Sequence, residues 1–110
     1  MYGTIFKMKV KKGHEQQVMD ITKQWDEQRT PKAKGVIGEY VMKPDSGPAN
    51  EYIVVVIFSD QAAYRALAAD PEQDRWYRKL REHLETDPEW QDGEYIAASL
   101  PKQAAGAKGK

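Results

Sequence analysis

The chain contains no cysteine and only two histidines among its 110 residues. Without thiols it has no disulfide framework, no thiolate nucleophile and no Cys-ligated zinc or iron–sulfur centre. It also lacks an excess of charge, since 17 Lys and Arg face 17 Asp and Glu. General attraction to nucleic acid or anionic lipid therefore has no source. The longest apolar run, Ile53 to Phe58, is far too short to cross a bilayer. The opening residues MYGTIFKMKV lack the basic start, long apolar stretch and cleavage site of a signal peptide. The expectation is a cytoplasmic domain with no nucleic-acid or membrane partner. The glycines form no phosphate-cradling loop or dinucleotide fingerprint, and Ser46, Ser59 and Ser99 all lie outside any Gly-x-Ser-x-Gly string. The two histidines, 69 positions apart, do not make a metal motif by spacing, and no carboxylate run has the pattern of a calcium loop. No metal or cofactor is expected.

What is present suffices for one hydrophobic core. Apolar residues make up 40% and aromatics 10%, too rich for a disordered chain. The balanced charge hides an asymmetry: four lysines and no acid in residues 1–12, and six acids with no Lys or Arg in 82–94. Residues 101–110, PKQAAGAKGK, hold three lysines and no large apolar group, and read as a disordered basic tail after a folded domain spanning 1–100.

Four segments have strand character. Tyr2–Val10 alternates with the two-residue period of a half-buried strand, and Val36–Lys43 repeats the pattern with Val36, Gly38, Tyr40 and Met42 on one side. The turn formers PDSGPAN lead into Tyr52–Phe58, and the Asp92-Gly93 turn signal predicts a last strand at Glu94–Ser99. Three segments read as helices. Residues 14–28 carry a stripe of Val18, Ile21, Thr22 and Trp25. Asp60–Ala69 starts with a cap at Ser59 or Asp60. The third opens with Asp70 as cap and Pro71 at the first helical position, then runs through Trp76, Leu80 and Leu84 to Asp87-Pro88. The order β-α-β-β-α-(α)-β is that of a ferredoxin-like α+β domain, a four-stranded antiparallel sheet with helices on one face. The third strand, YIVVVIF, is apolar front and back. Helices cover one side only, so a second copy of the sheet is expected over the other, making a homodimer.

Several strings resemble the antibiotic biosynthesis monooxygenase family of dimeric α+β barrels. They are Lys12-Gly13 with Glu15, Phe58-Ser59-Asp60-Gln61-Ala62-Ala63-Tyr64, Asp70-Pro71-Glu72, Trp76-Tyr77 and Pro88-Glu89-Trp90. They span roughly residues 2–99 and are chiefly caps, turns and core positions. The resemblance therefore speaks to fold more than to chemistry. The superfamily includes haem-degrading enzymes, whose Asn, Trp and haem-ligating His fall here on Phe6, Ala66 and Trp76. All three signature residues are absent. The resemblance also implies cofactor-independent oxygenases, in which a phenol or hydroquinone is deprotonated and its carbanion reacts with dioxygen. Such a site needs a water-poor slot for a flat substrate and a proton acceptor.

Trp76, Tyr64 and Tyr40 are the residues expected to wall that slot. Core packing is the plainer role for Trp76, and is compatible with a slot cut from the core. His83, on the stripe of Trp76 and Leu80, is the leading candidate for the catalytic base. The alternative has His83 near a helix C-terminus, interacting with the dipole and the acidic run. His14 reads as a first-turn residue near solvent. Trp90 is expected over a dimer or sheet edge, and Arg75, Arg78, Lys79 and Arg81 as a solvated, salt-bridged face. The functional expectation is cofactor-independent monooxygenation of a phenolic or quinol-like aromatic. The alternative is a non-catalytic dimeric small-ligand-binding or stress-response protein of the same fold.

Overall fold

The computed structural model describes residues 1–29, 31 and 33–100. The expected tail at 101–110 lies outside the described residues. The elements run β1 (Tyr2–Lys9), α1 (Glu15–Gln28), β2 (Val36–Met42), β3 (Glu51–Phe58), α2 (Gln61–Ala68), α3 (Pro71–Arg81) and β4 (Glu89–Glu94). The strands form one antiparallel sheet in the order β2-β3-β1-β4, the ferredoxin-like arrangement expected from the sequence. No helix among the described residues is long and apolar enough to cross a membrane.

Alternation decides the two central strands. Thr4, Phe6 and Met8 of β1 pair with Val56, Val54 and Tyr52 of β3, and this shared face packs under the helices. Met8, Val54, Val56 and Phe58 are buried there together with Val18 of α1 and Leu84 beyond α3. Each such side chain contributes roughly 1.5–3 kcal/mol relative to an exposed position. The helices start where their caps dictate. The Asp60 carboxylate accepts from the Ala63 N–H at 2.8 Å and that of Asp70 from the Glu72 N–H at 2.9 Å, with Pro71 filling the first turn of α3. The Gln73 side-chain oxygen accepts from Trp25 Nε1 at 2.9 Å and ties α3 to α1. Gly35 takes φ +83° where the chain enters β2, and a Cβ there would lie 2.5 Å from the Ala63 Cβ. Glycine is required on both counts.

Two boundaries differ from the sequence expectation. The last strand is Glu89–Glu94 rather than Glu94–Ser99, and Asp92-Gly93 lies inside it. This edge strand is exposed along its whole length, so no burial pattern marks it. Its place is set by the free edge of β1 and by Thr4 Oγ1, which donates to Asp92 Oδ1 at 2.7 Å. The third helix ends at Arg81 rather than near Asp87-Pro88. Leu84 leaves the helical path to form an isolated bridge with Val10, and both side chains are fully buried. The Lys11 N–H to His83 C=O and Glu85 N–H to Lys9 C=O bonds hold that segment against the end of β1.

Candidate functional site

A cavity of about 490 Å³ lies between the helix-facing side of the sheet and helices α1, α2 and α3. Its volume is within the range of small-molecule sites. The walls are largely aromatic: Phe6, Trp25, Tyr64, Trp76, Tyr77 and Trp90 all contribute. Trp90 packs on Phe6 in a tilted arrangement with ring centroids 4.3 Å apart and approaches Tyr77 at 6.1 Å. It remains 48% exposed, so the cavity reaches solvent along the β4 edge. Trp25 is held in place by its bond to Gln73. Phe58 and Tyr64 meet edge to face at 5.3 Å.

Against these apolar walls stand three carboxylates, Glu39 and Asp92 from the edge strands and Asp74 from α3. Asp92, from β4, accepts the Thr4 hydroxyl on Oδ1 at 2.7 Å and the Tyr64 hydroxyl on Oδ2 at 3.0 Å. Burial, reinforced by that bond to Asp92, pushes the Tyr64 phenol up to about 12. Tyr64 therefore stays protonated and acts as a donor. Glu39, from β2, also lies on the cavity lining. Burial raises its carboxyl to about 7, helped by the neighbouring charge and hydrogen bond of Asp26 on α1. A carboxyl poised there exchanges its proton readily at neutral pH.

The sequence-predicted residues divide between the cavity and elsewhere. Trp76 and Tyr64 line it. Tyr40 does not: it pairs with Val55 on the opposite face of the sheet and is 66% exposed. The cause is a bulge between Val36 and Gly38. The extra residue, Ile37, breaks the alternation, so Val36 faces the helices with Phe58 while Gly38, Tyr40 and Met42 turn outward. The same bulge leaves Glu39 and Val41 facing the cavity. His83 is also absent from the lining. It lies just past the end of α3, where its Nδ1 is 2.9 Å from His14 Nδ1. Trp90 is at a sheet edge as expected, and borders the open side of the cavity there.

Sequence reasoning missed Glu39 and Asp92 as site residues. Both sit on edge strands, and their inward orientation is fixed only by pairing with β3 and β1.

Comparison with known proteins agrees with this geometry. The antibiotic biosynthesis monooxygenase family profile matches residues 1–79. No curated protein matches the chain. Among solved structures, SnoaB, a cofactor-independent oxygenase from Streptomyces nogalater, superposes with a TM-score of 0.76 at 15% identity, covering 92% of this chain and 97% of its own. A conserved protein from Methanosarcina mazei Go1 gives 0.74 at 18% identity, covering 84% and 89%. A protein of unknown function from Nitrosomonas europaea gives 0.71 at 17%, covering 91% and 93%. At these identities the structural likeness speaks for the fold alone, and the profile match over most of the chain supplies the rest: the protein belongs to the antibiotic biosynthesis monooxygenase family.

Proposed function

We propose that the protein oxidises a phenolic or quinol-like aromatic in this cavity, using dioxygen and no cofactor. The carrying observation is the pairing of aromatic walls with a cavity-facing carboxyl, Glu39, whose proton affinity is matched to neutral pH. A flat substrate slides between the walls formed by Trp76, Trp25 and Phe6. Glu39 accepts the phenolic proton, and the anion so formed carries enough electron density on its ring to react with dioxygen. For a monophenol the balance is phenol plus dioxygen to quinone plus water. The substrate supplies four electrons, and one oxygen atom enters the product. Asp92, with the Thr4 and Tyr64 hydroxyls fixed on it, orients a second polar group of the substrate. His83, the base expected from the sequence, has no part in this scheme because it lies off the cavity.

The protein also acts as a homodimer in this proposal. Ile5, Ile53, Val55 and Ile57 line the sheet face away from the helices, with Tyr40 and Met42 exposed beside them. A second sheet would cover this surface. Localisation in the cytoplasm belongs to the same proposal.

Oxygen uptake by the purified protein with a panel of quinols, anthrones and naphthols tests the reading. Turnover above the uncatalysed rate, reduced about 100-fold or more in Glu39→Gln, is expected. Ligand binding without uptake would replace the oxygenase with the binding-protein alternative. Light scattering should give twice the chain mass, and a monomer would remove the dimer.

A further inference from the structure

Only two histidines occur in the chain, and the fold places them side by side. His14 immediately precedes α1 and His83 follows α3, both half-buried, with Nδ1 atoms 2.9 Å apart and ring centroids at 5.2 Å. Their backbones are anchored independently of the imidazoles. The His14 N–H donates to the Lys11 carbonyl at 2.9 Å, the His83 N–H to the Leu80 carbonyl at 3.0 Å, and the His83 carbonyl accepts from the Lys11 N–H at 2.9 Å. The two rings thus project from a loop and a helix end that are already hydrogen-bonded to each other, beside the fully buried Val10–Leu84 bridge. Neither ring belongs to the cavity, and the oxidation proposed above makes no use of them.

The geometry points to a divalent transition-metal site in which His14 Nδ1 and His83 Nδ1 bind one ion as adjacent ligands. Imidazole nitrogens bind zinc at about 2.0–2.1 Å, which places two neighbouring ligands about 2.9–3.4 Å apart at angles between square and tetrahedral. The observed spacing falls at the near end of that interval, and binding requires each ring to turn its Nδ1 lone pair from the other nitrogen toward the shared ion. In the apo pair one Nδ1–H donates to the bare Nδ1 of the other ring. Binding requires both Nδ1 atoms bare, which the donor ring achieves by moving its proton to Nε2. No net proton is released from the neutral pair. Imidazole ligation suits zinc, nickel and copper rather than magnesium or calcium. Among the described residues no group of three or more His, Asp or Glu side chains surrounds the pair, so water completes the coordination sphere. An open, two-ligand site of this kind is weaker than a closed structural zinc centre. It gains from the anchoring of both backbones, because little ordering remains to be done on binding.

The test is calorimetric titration of the untagged full chain with zinc chloride, and separately nickel chloride, at pH 7.5 in a non-coordinating buffer. One ion per chain is expected, with at least tenfold weaker binding in His14→Ala and in His83→Ala. The double variant should bind no more than about twofold more weakly than either single variant, since one imidazole cannot chelate. His14→Gln, which keeps a polar side chain but lacks the imidazole, guards against loss of the fold. Long-range 1H–15N spectra of the wild-type protein read the same site directly: zinc shifts Nδ1 of both rings, and Nε2 of the ring that was the donor shifts as well because it gains the displaced proton. Unchanged affinity in the variants, Nε2 shifts alone, or no binding below millimolar metal would each overturn the site.

Discussion

The two central strands and the two edge strands of this sheet follow different rules. In β1 and β3, Thr4, Phe6, Met8, Val54, Val56 and Phe58 under the helices are all buried, and Tyr2 and Tyr52 at the ends of that face are partly so. Every residue of β4 is exposed, and β2 buries none fully. Yet the edge strands carry two of the three carboxylates of the cavity, Glu39 and Asp92. Central strands, paired on both sides, give up polarity for packing. Edge strands retain polar side chains because water remains within reach, and there the chemistry can be installed at small cost to the core.

This contrast can be broken by mutation. The largest stability effect belongs to the centre: Phe58→Ala should cost about 3–5 kcal/mol by chemical denaturation. Trp90→Ala on β4 should cost markedly less, although it removes a larger side chain. Equal costs would erase the distinction between centre and edge.

A smaller effect comes from Glu39. Its folded-state value of about 7 lies above the ordinary 4.5, so between those values the native protein binds more protons than the unfolded chain. Stability therefore falls as pH rises through that window, by roughly 1–3 kcal/mol. Thermal melts from pH 4.5 to 7.5 should show this decline in the wild-type protein and a flatter profile in Glu39→Gln. An identical profile in both would place Glu39 in water.

Asp70 has the opposite sign. The Glu72 backbone N–H, then the Arg29 guanidinium at 2.6 Å, hold its carboxyl below the ordinary 3.8. The stability it contributes is complete above that ordinary value and is lost as pH falls through the lower folded value. Arg29→Gln should shrink the acid-induced loss below pH 4, measured by the same melts.

The smallest change expected is deletion of Ile37. Removing the bulged residue lets Val36 and Gly38 alternate normally, with Glu39 still paired to Val56. The cost should be below about 1 kcal/mol, with oxygen uptake retained. Loss of uptake in a folded deletion variant would show that the bulge itself positions Glu39.

The legibility of the sequence follows the same division. Tyr2–Val10 and Tyr52–Phe58 announced themselves because each side chain's own burial sets its polarity. The caps at Asp60 and Asp70 were readable because a cap is a local hydrogen bond. Tyr40 was placed on the wrong face because period-two counting from Val36 does not register a bulge. The last strand was displaced by five residues because Asp92-Gly93 resembles a turn when nothing shows its pairing with Thr4 and Gly3. Trp76 and Tyr64 were identifiable as cavity walls, since aromatic residues on an inward stripe border whatever space the core leaves. Glu39 carried no such mark, as an acid on an alternating strand ordinarily faces water.

By itself the sequence determined the order of elements, the two central strands, the helix starts and the family, all of which depend on short-range pattern and capping. Tertiary structure alone decided which polar groups meet: Glu39 with Asp26, Asp92 with Thr4 and Tyr64, and His14 with His83 across 69 positions. Periodicity records how each residue relates to its own element. The convergence of distant side chains depends on how the elements pair, and no local pattern encodes that.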